Sequence, residues 1–163
     1  MQLDINLGST AYLQARAEFQ RAHARAKVRG FVDHLLRRCR DLCTLADAAA
    51  DADRDGAAAG SAQRKVALLP GPAKLIDVPL ADIVGSLGRA QEFTADFLPR
   101  HSSDEERWAR VRLAVDSLEG VPPIELYEFD GDYYVKDGHH RVSVMKRMGL
   151  RSVEAYVTPL VAG

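Results

Sequence analysis

The sequence predicts an α+β protein: a small mixed sheet with packed helices, preceded by an N-terminal helical arm. Three observations carry that expectation. Residues 9–45 place apolar side chains at helical spacing, and residues 46–63 lose almost every large apolar side chain. From residue 74 onward, short β-branched or aromatic runs alternate with helical patterns bounded by Gly and Pro. The chain therefore divides into an arm at 1–46, a flexible linker at 47–64 and a sheet domain at 65–163.

In the arm, Ser9 or Thr10 suits the N-cap of a helix starting near Ala11. Tyr12, Ala15, Phe19, Ala22 and Ala26 recur every three or four residues, a narrow seam of the kind that packs on one partner helix. Beyond Gly30 a broader stripe runs from Phe31 to Cys43, so the helix bends or breaks there. The linker gives the arm no assured cover from the sheet domain, which predicts a homodimer, or another protein partner, docked through the arm. Eight basic residues against four acidic ones in residues 1–46 fit a solvated amphipathic surface better than a nucleic-acid face. Cys39 and Cys43, four apart on the stripe, read as packed thiols, since one helix face does not suit a bridge between them.

Residues 46–63, rich in Ala, Asp, Gly and Ser, bury too little to offset their ordering entropy. A strand is expected at 74–78, stopped by Pro79; Leu80, Ile83 and Val84 suggest a helical turn, and Gly85-Ser86-Leu87-Gly88-Arg89 a loop. Residues 92–98 read as a helical turn closed at Pro99. Ser102 with Glu105 has capping-box form, ahead of a helix whose Trp108, Val111, Val115 and Leu118 share a core-facing side. Pro122-Pro123 precede a strand at 124–129, Asp130-Gly131 signals a two-residue hairpin, and strands return at 133–135 and 153–157.

A formal charge of -1 over 163 residues gives no overall attraction to nucleic acid or anionic membrane. No apolar run reaches the roughly 18 residues a membrane span needs, and the N-terminus lacks the basic start and apolar core of a signal peptide. The expectation is a cytoplasmic protein without membrane attachment.

Chemistry concentrates in residues 132–149. An aromatic and β-branched run breaks at Asp137-Gly138 and resumes as a helix ending at Gly149, so the stretch reads as strand, tight turn, helix. The first N–H groups of a helix lack intrahelical acceptors and the dipole is positive there, which makes such a junction an anion site. Gly138 would let a ligand approach the backbone, while His139, His140 and Arg141 supply donors. Phosphate is the natural guest.

The Asp137-Gly138-His139-His140-Arg141 stretch after a strand, preceded by Gly120 to Leu126 and followed by Gly149 to Ala155, resembles the ParB/sulfiredoxin superfamily, often labelled the ParB-like nuclease domain. Upstream, Ile76 to Val84 with Arg89 and Phe93 looks like the first box of ParB N-terminal domains, so the resemblance covers about residues 74–158. It implies a ParB/sulfiredoxin-like sheet and a nucleotide cofactor, ATP, ADP or CTP, with or without Mg²⁺. Sulfiredoxins carry a catalytic cysteine where this chain has His139, and imidazole cannot replace the thiolate, so sulfiredoxin chemistry is not implied. The later helical box and helix-turn-helix of ParB proteins have no counterpart in these residues, so partition-site recognition is not carried over.

Three functions follow as expectations. First is a nucleotide- or phosphate-binding switch or adaptor acting through the helical arm, with Gly138, His139, His140 and Arg141 as the cradle, Ser143 as a further donor or Mg²⁺ neighbour, and Arg89 facing the site. Second is a kinase or phosphotransferase acting on a small hydroxyl substrate, which needs a carboxylate base from Asp82, Glu92 or Asp137. Third is a DNA-binding or nuclease module, which the family label implies and the near-neutral charge opposes. A metal centre is not expected, because adjacent histidines seldom converge on one ion without a third ligand.

Overall fold

One mixed sheet carries the protein in the computed structural model, which describes residues 9–35, 42–49, 68–117 and 120–162. Its strands in chain order are β1 (Cys43–Thr44), β2 (Leu68–Pro70), β3 (Lys74–Pro79), β4 (Ile83–Ser86), β5 (Ile124–Phe129), β6 (Asp132–Asp137) and β7 (Ser152–Ala162). They lie in the order β1-β4-β6-β5-β7-β2, with β3 also paired to β7. The β1/β4, β4/β6 and β5/β7 pairs are parallel, whereas β5/β6, β3/β7 and β2/β7 are antiparallel. The predicted α+β class with a mixed sheet is the one observed.

Helices α1 (Thr10–Leu35), α2 (Glu105–Val115) and α3 (His139–Met148) pack with the sheet. The central α3 is buried on two sides. Val142 and Met145 join the sheet's core with Val78, Ile83, Leu126 and Val135, while Val144 packs with Phe19 of α1 and Trp108 of α2. Ser143, also fully buried, accepts a hydrogen bond from Trp108 Nε1 at 3.0 Å. Trp108 is therefore the core aromatic its spacing indicates.

The seam of α1 is where the sequence places it, but its cover differs from expectation. Tyr12, Ala15, Phe19, Ala22 and Ala26 are all buried within this one chain. Tyr12 and Ala15 meet Ala109 of α2, Phe19 meets the Trp108 ring edge-on at 6.0 Å, and Ala22 and Ala26 meet Leu98. Arg16 and Glu105 (2.5 Å) and Arg112 and Glu18 (2.8 Å) flank the contact with ion pairs. The partner helix of the seam is thus α2, and the argument for a dimer through this seam loses its premise. Most of the linker, with Cys39 and Leu118, lies outside the described residues.

Other expectations shift for local reasons. Cys43 continues no helix; it lies in β1, level with Gly85 of β4. Gly85 and Ser86, read as loop, form the end of a central strand. A Cβ at Gly85 would stand 2.5 Å from both the Cys43 carbonyl oxygen and the Tyr134 ring, so the glycine answers to crowding between strands rather than to a turn. Leu80–Asp82 is a 3₁₀ turn, and a second one at Ala90–Glu92 leads into an irregular turn whose Phe93 bridges Pro99, replacing the helical turn expected at 92–98. The capping box at Ser102 does not form: Ser102–Asp104 is a 3₁₀ turn, and no side chain caps α2. The Asp130-Gly131 hairpin forms as predicted, with positive φ at both residues. Among the described residues no helix is long and apolar enough to cross a membrane.

Candidate functional site

Two chain segments meet at the head of α3. Strands β4 and β6 run parallel, with Ser86 level with Val135, so the turn after β4 and the junction after β6 open at the same edge of the sheet. Ligands of parallel sheets collect at such carboxyl ends because the loops there converge. Leu87 N–H donates to Val135 O (2.9 Å), which fixes the first loop beside the second strand. Arg89, Glu92 and Phe93 follow on one side, and Asp137, Gly138, His139 and His140 on the other.

The head itself carries no cap. Gly138 occupies the N-cap position with φ 104°, no side chain caps the backbone N–H groups of the first turn, and that turn contains no carboxylate. Lys146 and Arg147 occupy the last turn, so the positive end of the dipole lacks a carboxylate of its own while the negative end is balanced. Gly138 is required for a reason other than ligand approach. A Cβ there would stand 2.5 Å from Cγ2 of the fully buried Ile124 and 3.3 Å from Nε of Arg141.

Arg141 also differs from its expected role. Its Nη1 donates to the carbonyls of Pro122 (2.7 Å) and Pro123 (2.8 Å), and Nη2 to Asp137 Oδ2 (2.5 Å). The guanidinium braces the approach to β5 against the head of α3 rather than reaching outward. Ser143, enclosed under Trp108, is in the helix interface and not beside a ligand. Asp82 precedes β4, whose start is level with Tyr133, whereas Gly138 follows the end of β6. Asp82 is therefore at the opposite edge of the sheet, roughly 15 Å along the strand. Of the three candidate carboxylates, only Glu92 and Asp137 lie near the head.

Arg89 follows the turn after β4 and is bound to both Ser86 and Glu92. Its backbone N–H donates to Ser86 Oγ (3.0 Å), its Nε donates to Glu92 Oε1 (2.8 Å), and its Nη2 contacts the other Glu92 oxygen. Hydrogen bonding to Arg89 holds the Glu92 carboxyl below the usual carboxylate range. The Arg89 side chain is anchored yet about one-third exposed.

Both histidines are inside, not on a solvent rim. His139 Nε2 is hydrogen-bonded to Ser86 Oγ (2.7 Å), and its ring stacks on Phe93 with centroids 5.8 Å apart. Burial, helped by Arg89, lowers its pKa to about 4, so the imidazole is neutral. His140 meets the Phe93 ring edge-on at 5.4 Å and stands 3.6 Å from Asp104 Oδ1, beyond hydrogen-bonding reach. Among the described residues, neither ring nitrogen of His140 nor Oδ2 of Asp104 has a hydrogen-bond partner. Burial lowers the His140 pKa against the pull of Asp104. Among the described residues no group of three or more His, Cys, Asp or Glu could hold a metal ion.

Sequence reasoning singled out Arg89, Glu92, Asp137 and the two histidines, which the fold does gather. It missed Ser86, Phe93 and Asp104 as members of that cluster. Ser86 carried a signal, a small polar residue between the two glycines of the stretch before Arg89; Asp104 carried none, because only the packing of the chain ahead of α2 brings it to His140.

No family model matches the chain, and no curated protein does. Among solved structures, sulfiredoxin from Arabidopsis thaliana is similar at 20% identity over 52% of this chain and 83% of that one, with a TM-score of 0.40.

Proposed function

We propose that this chain is a ParB/sulfiredoxin-like nucleotide- or phosphate-binding domain, with a phosphate at the head of α3. The observation that supports it is an uncapped helix N-terminus without a carboxylate in its first turn, with Arg89 joined to it through Ser86, whose Oγ accepts from the Arg89 backbone N–H and is hydrogen-bonded to His139. The N–H groups at 139–141 point along the dipole towards an anion, and Arg89 offers a planar pair of donors. Arg141 holds the junction in shape, and the neutral histidines form its apolar backing.

Phosphate would compete with Glu92 for Arg89, and that competition supplies a switch. Glu92 O accepts from Arg100 N–H (2.9 Å) at the end of the 93–99 turn, whose Pro99 O contacts Nδ1 of His23 on α1 (3.1 Å). Leu98 of the same turn packs against Ala22 and Ala26. A ligand that draws Arg89 away from Glu92 therefore acts on a turn wedged under the helical arm.

Thermal shift with ATP, ADP, CTP, GTP and inorganic phosphate, each with and without Mg²⁺, tests this reading, since a ligand of the native state raises stability by mass action. The expected result is a selective, saturable shift that Arg89→Gln weakens by about tenfold or more, the cost of losing a charge-assisted contact. If none of the ligands shifts the transition, or the variant binds equally well, the site is wrongly assigned.

A second reading, phosphate transfer to a small hydroxyl substrate, rests on Glu92, the candidate carboxylate that Arg89 holds at the site. Label transfer from ATP or ADP that Glu92→Gln abolishes while nucleotide binding persists would favour it.

A further inference from the structure

Some 790 Å³ of open cleft lies at the other end of α3, between that helix, the second half of α1 and the 3₁₀ turn at Leu80–Asp82. It is distinct from the phosphate site: Lys146, which lines it, is seven residues along the helix from His139, about 10 Å. Its volume falls in the range of small-molecule sites, about 300–1,000 Å³.

The cleft pairs an apolar surface with converging cations. Leu80 and Leu98 are buried at its base, while Val28 and Leu150 on its walls are 64% and 42% exposed, which leaves large apolar side chains facing solvent on both sides of one groove. Arg25, Arg29, Lys146 and Arg147 also line it, against the single carboxylate of Asp96, which pairs with Arg29. Lys146 is the most informative of these. Its ammonium donates to Ile83 O (3.0 Å) and sits 4.7 Å from the centroid of the Phe97 ring. An ammonium has three donors, so one hydrogen bond to the protein leaves it able to donate further. Burial lowers its pKa, and an anion beside it would reverse that.

We propose that this cleft binds a small amphipathic anion, an aliphatic or aromatic body carrying a carboxylate or phosphate-ester head. The body would cover Val28, Leu98 and Leu150, and the head would accept hydrogen bonds from Lys146 with Arg25 or Arg147 beside it. Neutral and cationic ligands with the same body would lack the second half of this recognition, and an inorganic anion the first.

Isothermal titration of the full chain with decanoate, 1-decanol, decyltrimethylammonium and inorganic phosphate, all below their aggregation limits, separates these contributions. The expected result is saturable one-to-one binding of decanoate, at least tenfold tighter than decanol and decyltrimethylammonium. Lys146→Met keeps the aliphatic stem and should weaken decanoate about tenfold. Because Lys146 also holds Ile83, Arg147→Glu, on an exposed position, is the companion variant and should weaken decanoate while the protein still unfolds in one cooperative transition. Decanoate and decanol binding equally, no saturable binding of decanoate, or Arg147→Glu without effect each overturns the proposal. The phosphate site is read independently by inorganic phosphate, whose binding should be unchanged in both variants.

Discussion

At the residue scale, the head of α3 shows how a motif can be placed correctly while the roles within it are exchanged. Asp137, Gly138 and Arg141 were legible as a strand-to-helix junction because Asp-Gly breaks the apolar run. Sequence could not show that the Cβ position of Gly138 faces Ile124, or that Arg141 turns back to two proline carbonyls. Both now predict stability effects. Gly138→Ala combines a left-handed backbone with a contact on a fully buried side chain, and should cost about 2–4 kcal/mol in urea unfolding. Arg141→Ala should lower stability by about 1–3 kcal/mol, since it removes hydrogen bonds to two carbonyls and to Asp137. If Arg141→Ala leaves the urea midpoint unchanged, the brace is not structural.

The buried histidines make a prediction about pH. The His139 pKa falls from 6.5 to about 4 on folding, so between those values the unfolded chain binds the proton that the folded chain excludes. Its stabilising contribution is fully present above about pH 6.5 and is lost as pH falls towards about 4. His140 shifts in the same direction, with Asp104 and Glu92 opposing the shift and Arg107 and Arg89 reinforcing it. Urea midpoints should therefore decline from pH 7 to pH 5, and the decline should shrink in His140→Phe. A pH-independent midpoint across that interval would contradict neutral burial of both rings.

At the scale of elements, the helices declared themselves through apolar spacing, and the hairpin through Asp130-Gly131. The missed strands, β1, β2 and β4, are short, and β1 and β4 sit where the sequence shows a helical stripe or turn-like glycine. Gly85 is small because Cys43 and Tyr134 crowd it, a demand made by strands distant in sequence. The same limit applied to α1: its seam was visible, but whether α2 or a second copy covered it depended on tertiary packing. Phe19→Ala should cost about 3–5 kcal/mol, as for a fully buried phenylalanine against Trp108 and Val144. With the seam covered inside the chain, the unfolding midpoint of the parent protein should not depend on protein concentration. A midpoint that rises with concentration would instead place a second copy on the arm.

For the whole molecule, the fold joins the head of α3, the 93–99 turn and α1 into one contiguous set of contacts. Sequence placed the first and last of these but separated them by a linker, because it could not show that Leu98 and Pro99 lie under the arm. Nucleotide binding should change backbone hydrogen exchange in residues 90–100 and along α1 as well as at the α3 head, if the ligand acts through Arg89 and Glu92. Protection confined to residues 137–142 would leave a binding site without a switch.

The central claim is that phosphate is held by the head of α3. The most direct measurement is a titration of the ¹⁵N-labelled protein with inorganic phosphate and with the nucleotide that stabilises it best, following backbone amide shifts. The account predicts saturable downfield movement of the His139, His140 and Arg141 amides, with Arg89 side-chain resonances shifting at the same ligand concentration. Amides at 139–141 that stay in place while others saturate, or no saturation with any phosphate ligand, would contradict it.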